Sequence, residues 1–131
     1  FKFKSAISWV RGEVDEGDAL RHVAPLFGTT ALVFSRGPFL AELYANYNGA
    51  IPYERLAPSE SEKPYMYAMD CNGNPYSPAW WTFNFKASYK IIDELTVDLG
   101  IENIFNTRYR PYSSGIAAPG RNFIVALRAN F

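Results

Sequence analysis

The 131-residue chain carries 13 basic and 13 acidic side chains, a balance that gives no reason to expect nucleic acid or another polyanion as partner. Aromatic residues make up 17% of the chain while the mean hydropathy is −0.17, so apolar and polar residues must be finely interleaved. No stretch approaches the roughly 18 consecutive apolar residues of a membrane-spanning helix, which excludes a helical membrane protein.

The chain alternates from its first residues, as if entered in mid-strand. A first strand is expected from residue 1 to about 11, with Phe1, Phe3, Ile7 and Trp9 on one face and Lys2, Lys4 and Ser8 on the other. Residues 12–28 form a long connection. A second strand near 29–35 is less defined, because Leu32 and Phe34 compete with Ala31 and Val33 for its apolar row. After a short turn at Ser35-Arg36-Gly37-Pro38, the third strand, 39–48, sets Phe39, Ala41, Leu43, Ala45 and Tyr47 against Glu42, Asn46 and Asn48.

The longest connection, 49–79, is rich in Gly, Pro, Ser, Tyr and charge and contains the single cysteine, Cys71, in a turn-like polar stretch. One cysteine makes no internal disulfide and says little about redox compartment. The fourth strand, 81–91, puts Trp81, Phe83, Phe85, Ala87, Tyr89 and Ile91 opposite Thr82, Asn84, Lys86, Ser88 and Lys90. A short turn at Asp93-Glu94 leads to a fifth strand with Leu95, Val97, Leu99 and Ile101 against Thr96, Asp98 and Glu102. A third long connection, 106–121, precedes a last strand with Phe123, Val125, Leu127, Ala129 and Phe131 against Asn122, Arg128 and Asn130. Charges within the clear strands all oppose the apolar rows, and short connections alternate with long ones.

A soluble antiparallel sandwich also alternates, so the placement of the rings is what separates the readings. Phe1 and Trp9, Phe39 and Tyr47, Trp81 and Tyr89, and Phe123 and Phe131 each lie eight residues apart on an apolar row. Eight steps span about 26 Å, or about 20 Å after a tilt near 40°, close to the apolar band of an outer-membrane barrel. Amphipathic rings settle at headgroup level, so Trp9, Tyr47, Trp81, Tyr89, Phe123 and Phe131 are expected to form lipid-facing girdles. Lys86, Asp98, Glu102 and Arg128 are expected to face the lumen. The fold class is therefore all-β, an antiparallel transmembrane β-barrel segment. Six strands are too few to close a barrel without unpaired backbone in hydrocarbon, so further strands are required.

Specific residues also resemble a family. Gly100-Ile101-Glu102-Asn103-Ile104-Phe105-Asn106-Thr107-Arg108-Tyr109 resembles a pattern near the end of TonB-dependent outer-membrane receptors. Gly120-Arg121-Asn122-Phe123, running on to Phe131, resembles that family's last strand, and Ala19-Leu20-Arg21-His22-Val23-Ala24-Pro25 is similar to a weaker pattern in an earlier loop. The resemblance implies that residues 1–131 are the C-terminal part of one barrel domain of about twenty-two strands, without its plug domain and earlier strands. It implies a location in the outer membrane of a Gram-negative bacterium, with the C-terminus in the periplasm and the long connections outside. The partners it implies are outer-membrane lipid, the remaining strands and plug of the same receptor, and the TonB complex acting through that plug. Phe123, Val125, Leu127 and Phe131 resemble the signal read by the barrel-assembly machinery.

The function expected is import of an iron complex, haem or cobalamin with TonB-derived energy. No catalytic group is expected, because the one histidine, His22, lacks neighbours for a metal cluster or a hydrolytic triad, and there is no phosphate loop. A hydrolytic barrel enzyme would need a Ser or Asp brought beside that histidine by the fold. No intrinsic cofactor or resident metal is expected, only transported haem or another iron complex. Ligand contacts are assigned to His22, Tyr53, Arg55, Tyr65, Tyr67 and Arg110, with Asp70 nearby. Imidazole ligates haem iron, the Arg-Pro-Tyr-Ser-Ser-Gly segment resembles the haem and haemoglobin receptor branch, and Tyr and Arg suit flat or anionic ligands. Two other classes stay open, a soluble all-β carbohydrate-binding module and a passive porin.

Overall fold

The computed structural model describes residues 1–13, 17–21, 23 and 26–130, so His22 and Phe131 lie outside the described residues. Six long strands, β1 (Lys2–Trp9), β2 (Leu26–Arg36), β3 (Phe39–Asn48), β6 (Trp80–Ile92), β7 (Leu95–Glu102) and β8 (Asn122–Ala129), form one antiparallel sheet in chain order. A two-stranded ribbon, β4 (Ala68–Met69) and β5 (Pro75–Tyr76), lies in the connection between β3 and β6. The same connection holds a four-residue helix, α1 (Pro58–Ser61), and two 3-10 turns at Tyr53–Arg55 and Pro64–Met66. Sequence periodicity did not disclose these, because each spans only about one period of its own pattern and never repeats it. All three long connections leave the sheet at the same end.

The register resolves which residues share a face. Leu43 pairs with Leu32 and with Phe85, Leu32 pairs with Phe3, and Phe85 continues through Ile101 to Phe123, making one row of bulky apolar side chains across all six strands. In β2 the row is therefore Leu32 and Phe34, and Ala31 and Val33 point to the other face. The opposite row, Lys2, Val33, Glu42 and Lys86, is charged. Lys4 and Lys86 both reach the Glu42 carboxylate, at 3.9 and 3.4 Å, on the face where Ala31 and Val33 are buried, Ala31 between Lys4 and Tyr44 and Val33 between Lys2 and Glu42. Longer side chains on both neighbouring strands explain how small apolar residues come to be buried on a polar face.

The apolar face departs from simple alternation in two places. Ser5 and Thr30 interrupt the apolar face side by side, and their hydroxyls bond to each other at 3.0 Å, so neither is left without a partner. At the other end of the sheet the register slips between Lys90 and Ile92, so Ile91 is the extra residue of a bulge rather than a regular member of the β6 row. Gly28 lies opposite Tyr47, and a Cβ there would stand 2.6 Å from the Tyr47 hydroxyl, so the glycine makes room for the ring to lie across the strand.

Nothing among the described residues covers the apolar face. Leu43 is 46% exposed at its centre and Leu127 is 72% exposed near one edge. Six strands at about 4.8 Å and some eight residues at about 3.3 Å make a face on the order of 700 Å², beyond the few hundred that a soluble monomer leaves open. The buried apolar residues away from the sheet, Ile51, Leu56 and Ala57, instead lie in the second long connection, together with the buried Glu60 and Ser77.

The rings drift along the sheet, with Tyr47 and Trp81 level with each other. Ile7 aligns through Gly28 with Tyr47 and Trp81, Trp9 lies two residues beyond that line toward the long connections, and Phe123 aligns with Phe85, four residues short of Trp81. Near the short turns, Tyr89 pairs with Phe39, and Phe1 packs on Phe34 with ring centroids 5.1 Å apart.

Candidate functional site

The three long connections are tied into one cluster. Arg21, from residues 10–25, donates from Nε to Glu60 Oε1 at 3.0 Å, and Lys63 Nζ approaches the same oxygen at 3.6 Å. The Tyr67 hydroxyl donates to Glu60 Oε2 at 2.6 Å, so a carboxylate only 1% exposed is held by two cations and a phenol. Burial pushes the Glu60 carboxyl up, but the Tyr67 hydroxyl, Lys63 and Arg21 outweigh it and leave it below the ordinary glutamate range. Burial, and then the facing Glu60 carboxylate, push the Tyr67 phenol well above its ordinary value, so it stays a donor.

The third connection is clasped at its base. Asn103 has φ +49°, and its side chain accepts from the Thr107 amide at 2.8 Å while donating to the carbonyls of Thr107 at 2.8 Å and Pro119 at 3.2 Å. Its own amide donates to Asn84 Oδ1 on β6 at 2.9 Å, anchoring the turn to the sheet. Asn106, φ +55°, accepts from the Arg121 amide at 3.0 Å, and Arg121 Nε donates to the Ile104 carbonyl at 2.8 Å. Asparagine tolerates positive φ better than other non-glycine residues and brings an amide that closes the turn. Gly120 sits inside this clasp, where a Cβ would be 2.5 Å from Asn106 Oδ1. The Glu-Asn-Ile-Phe-Asn and Gly-Arg-Asn stretches thus bond to each other across the loop.

Held this way, the third connection meets the second around a cavity of about 470 Å³. Tyr65, Met66, Tyr67, Trp80, Arg108, Tyr109 and Arg110 are in its wall. Trp80 and Tyr109 stack with centroids 4.1 Å apart and planes at 31°. Arg110 Nη1 donates to the Met66 carbonyl at 2.7 Å, and the Ala57 amide donates to the Tyr112 hydroxyl at 3.3 Å, so both loops brace the cavity. The Trp80 indole N–H is buried with no acceptor among the described residues.

Of the residues expected to contact ligand, Tyr65, Tyr67 and Arg110 come together at this cavity. Tyr67 and Arg110 spend bonds on Glu60 and Met66, so part of their polarity serves the loop architecture. Arg55 lies instead at a smaller cavity of about 200 Å³ shared with Arg11, Glu13 and Glu54. Tyr53 lies in the exposed 3-10 turn beside it. His22 is outside the described residues. Cys71 is exposed in the loop tip beyond the ribbon, and Asp70 Oδ1 accepts the amides of Asn72 and Asn74 at 2.8 Å each, a turn-forming role. Trp80, Arg108 and Tyr109 were not singled out from sequence. The one available signal was the ring on the polar side of Trp80-Trp81, since alternation leaves Trp80 on the charged face.

Lys86, Asp98, Glu102 and Arg128 all stand on the face opposite the apolar rows. Arg128 Nη2 donates to Asp98 Oδ2 at 2.7 Å, and Ser88 also donates to Asp98. Trp9, Tyr47, Trp81, Tyr89 and Phe123 share the apolar face. Among the described residues no group of three or more His, Cys, Asp or Glu side chains is arranged to hold a metal ion.

No protein-family model matches the chain, and no curated protein matches it. Among solved structures it is similar to one described as Copper transporter OprC, with a TM-score of 0.76 and 17% identity over 98% of this chain. The match covers 21% of that chain, so this chain spans about a fifth of its length. At that identity the likeness shows the fold, an antiparallel run of barrel strands.

Proposed function

We propose that this chain is part of an outer-membrane active-transport receptor that imports a metal complex with TonB-derived energy, its loop cluster facing outward to meet the cargo. The observation that carries the reading is the drift of the rings. From Trp9 to Phe123 the upper ring descends six residues across five strand spacings. That is about 20 Å along the strands against about 24 Å across them, so rings lying at one level require strands inclined by about 40°. Transmembrane barrels tilt their strands by about 35–45°. A soluble sheet has no reason for a net descent of its rings from edge to edge, and a carbohydrate-binding sandwich would need a second layer over the apolar face.

On this reading the apolar face meets lipid, and Lys86, Asp98, Glu102 and Arg128 face a lumen filled by a plug. Phe123, Val125 and Leu127 would be read by the assembly machinery together with Phe131. The resemblance to TonB-dependent receptors supports energised import, and the structural neighbour is itself named as a metal transporter. An iron complex, haem and cobalamin are the cargoes the sequence favours, and copper joins them through that neighbour. The test is uptake of each metal species by cells expressing the full-length protein that carries this chain, with and without a functional TonB. Uptake lost with TonB is the expected result. A protein that stays monomeric in detergent-free buffer, or uptake indifferent to TonB, would sink the proposal.

A further inference from the structure

We infer that the 470 Å³ cavity between the second and third long connections is a subsite for a planar aromatic anion, an inference that rests on the reading of these loops as the cargo-facing end. Its volume falls within the roughly 300–1,000 Å³ of sites that enclose small organic ligands. Four aromatic residues, Tyr65, Tyr67, Trp80 and Tyr109, contribute to the wall. The Trp80–Tyr109 stack is already formed, so a flat ring entering beside it meets a platform whose ordering cost is met by the fold.

The charge of the wall selects among flat ligands. Arg108 and Arg110 are its charged residues, and no carboxylate lines it to compete for them. Arg110 is fixed by the Met66 carbonyl, which leaves other N–H donors of its fork to serve an incoming oxygen. Arg108 makes no ion pair among the described residues. A neutral sugar would stack equally well, but it would leave both guanidinium charges of the wall without a counter-charge. The clasp of Asn103, Asn106 and Arg121 holds the segment bearing Arg108 and Tyr109 in place before any ligand arrives.

The test uses the full-length protein in detergent and 2-naphthoate as probe, titrated calorimetrically beside cyclohexanecarboxylate, which has the charge without the ring, and 2-naphthol, which has the ring without the charge. Saturable binding of 2-naphthoate is expected, about tenfold or more tighter than either comparator, since each lacks one of the two interactions. Arg108→Gln should weaken 2-naphthoate about tenfold and leave 2-naphthol unchanged. Tyr109→Leu should weaken both aromatic probes, and Arg36→Gln, at a turn on the far end of the sheet, should change nothing. No saturable binding, equal binding of cyclohexanecarboxylate, or an Arg108→Gln variant that binds 2-naphthoate like the wild type overturns the subsite. If that happens while uptake remains TonB-dependent, the transport reading stands without it. Conversely, Arg108-dependent binding in a protein whose uptake ignores TonB overturns the transport reading and leaves the cavity a binding site.

Discussion

Leu43→Arg is the substitution that discriminates most sharply between a sheet facing lipid and one facing water. Leu43 lies four residues from each ring on its face of the strand, Phe39 and Tyr47, and is flanked by Leu32 and Phe85 on the neighbouring strands. On the membrane reading it is at mid-depth, where an arginine on the lipid face of a barrel costs about 2–4 kcal/mol, a fall of roughly 30- to 700-fold in the folded population. Tyr47→Arg, at ring level on the same strand, should cost only about 0–1 kcal/mol because the guanidinium reaches the headgroups. On a water-facing sheet both positions are partly exposed, and both changes would fall within about 0.5 kcal/mol of neutral. Urea titrations of the full-length protein in lipid vesicles, followed by tryptophan fluorescence and by heat-dependent gel mobility, measure the difference. If the two variants differ by less than about 0.5 kcal/mol, the depth argument built on ring spacing is wrong.

The loop cluster carries a pH dependence of known sign. Because the folded-state pKa of Glu60 lies below its unfolded value, its link to Arg21, Lys63 and Tyr67 is fully present above the ordinary glutamate pKa and is lost as pH falls through the depressed one. Protection of the amides in 57–67, taken relative to the intrinsic exchange rate at each pH, should therefore fall at acid pH in the wild type, while Glu60→Gln should be less protected at neutral pH and show a flatter profile; identical profiles would remove Glu60 from this role. Asn103→Ala removes one acceptor and two donors at a residue with positive φ, and about 2–3 kcal/mol of local stability should go with them, read as faster proteolysis within 104–120. Asn103→Gly restores the backbone freedom without the bonds, so it should recover only part of the loss. Gly120→Ala drives a methyl to 2.5 Å from Asn106 Oδ1 and should open the same segment by about 1–2 kcal/mol, whereas unchanged cleavage would mean that Asn106 can swing aside at no cost.

Alternation alone determined the five clear strands and their faces, because side chains of period two must separate wherever one face is apolar and the other charged. It could not decide β2, where Leu32 and Phe34 compete with Ala31 and Val33. There the choice came from pairing with Leu43 on one side and Phe3 on the other, contacts between residues far apart in the chain. The Ile91 bulge escaped for the same reason, since a bulge exists only relative to a partner strand. At the loop end, the Glu-Asn-Ile-Phe-Asn and Gly-Arg-Asn stretches were visible as words in the chain, yet their bonding to each other was not. The Glu60 cluster and the cavity join residues from different connections, and the Trp80–Tyr109 stack joins a strand end to a connection, so local sequence holds no record of which of them meet. Strand identity is fixed by short-range periodicity, whereas a site assembled from three loops is fixed by where the sheet brings their ends.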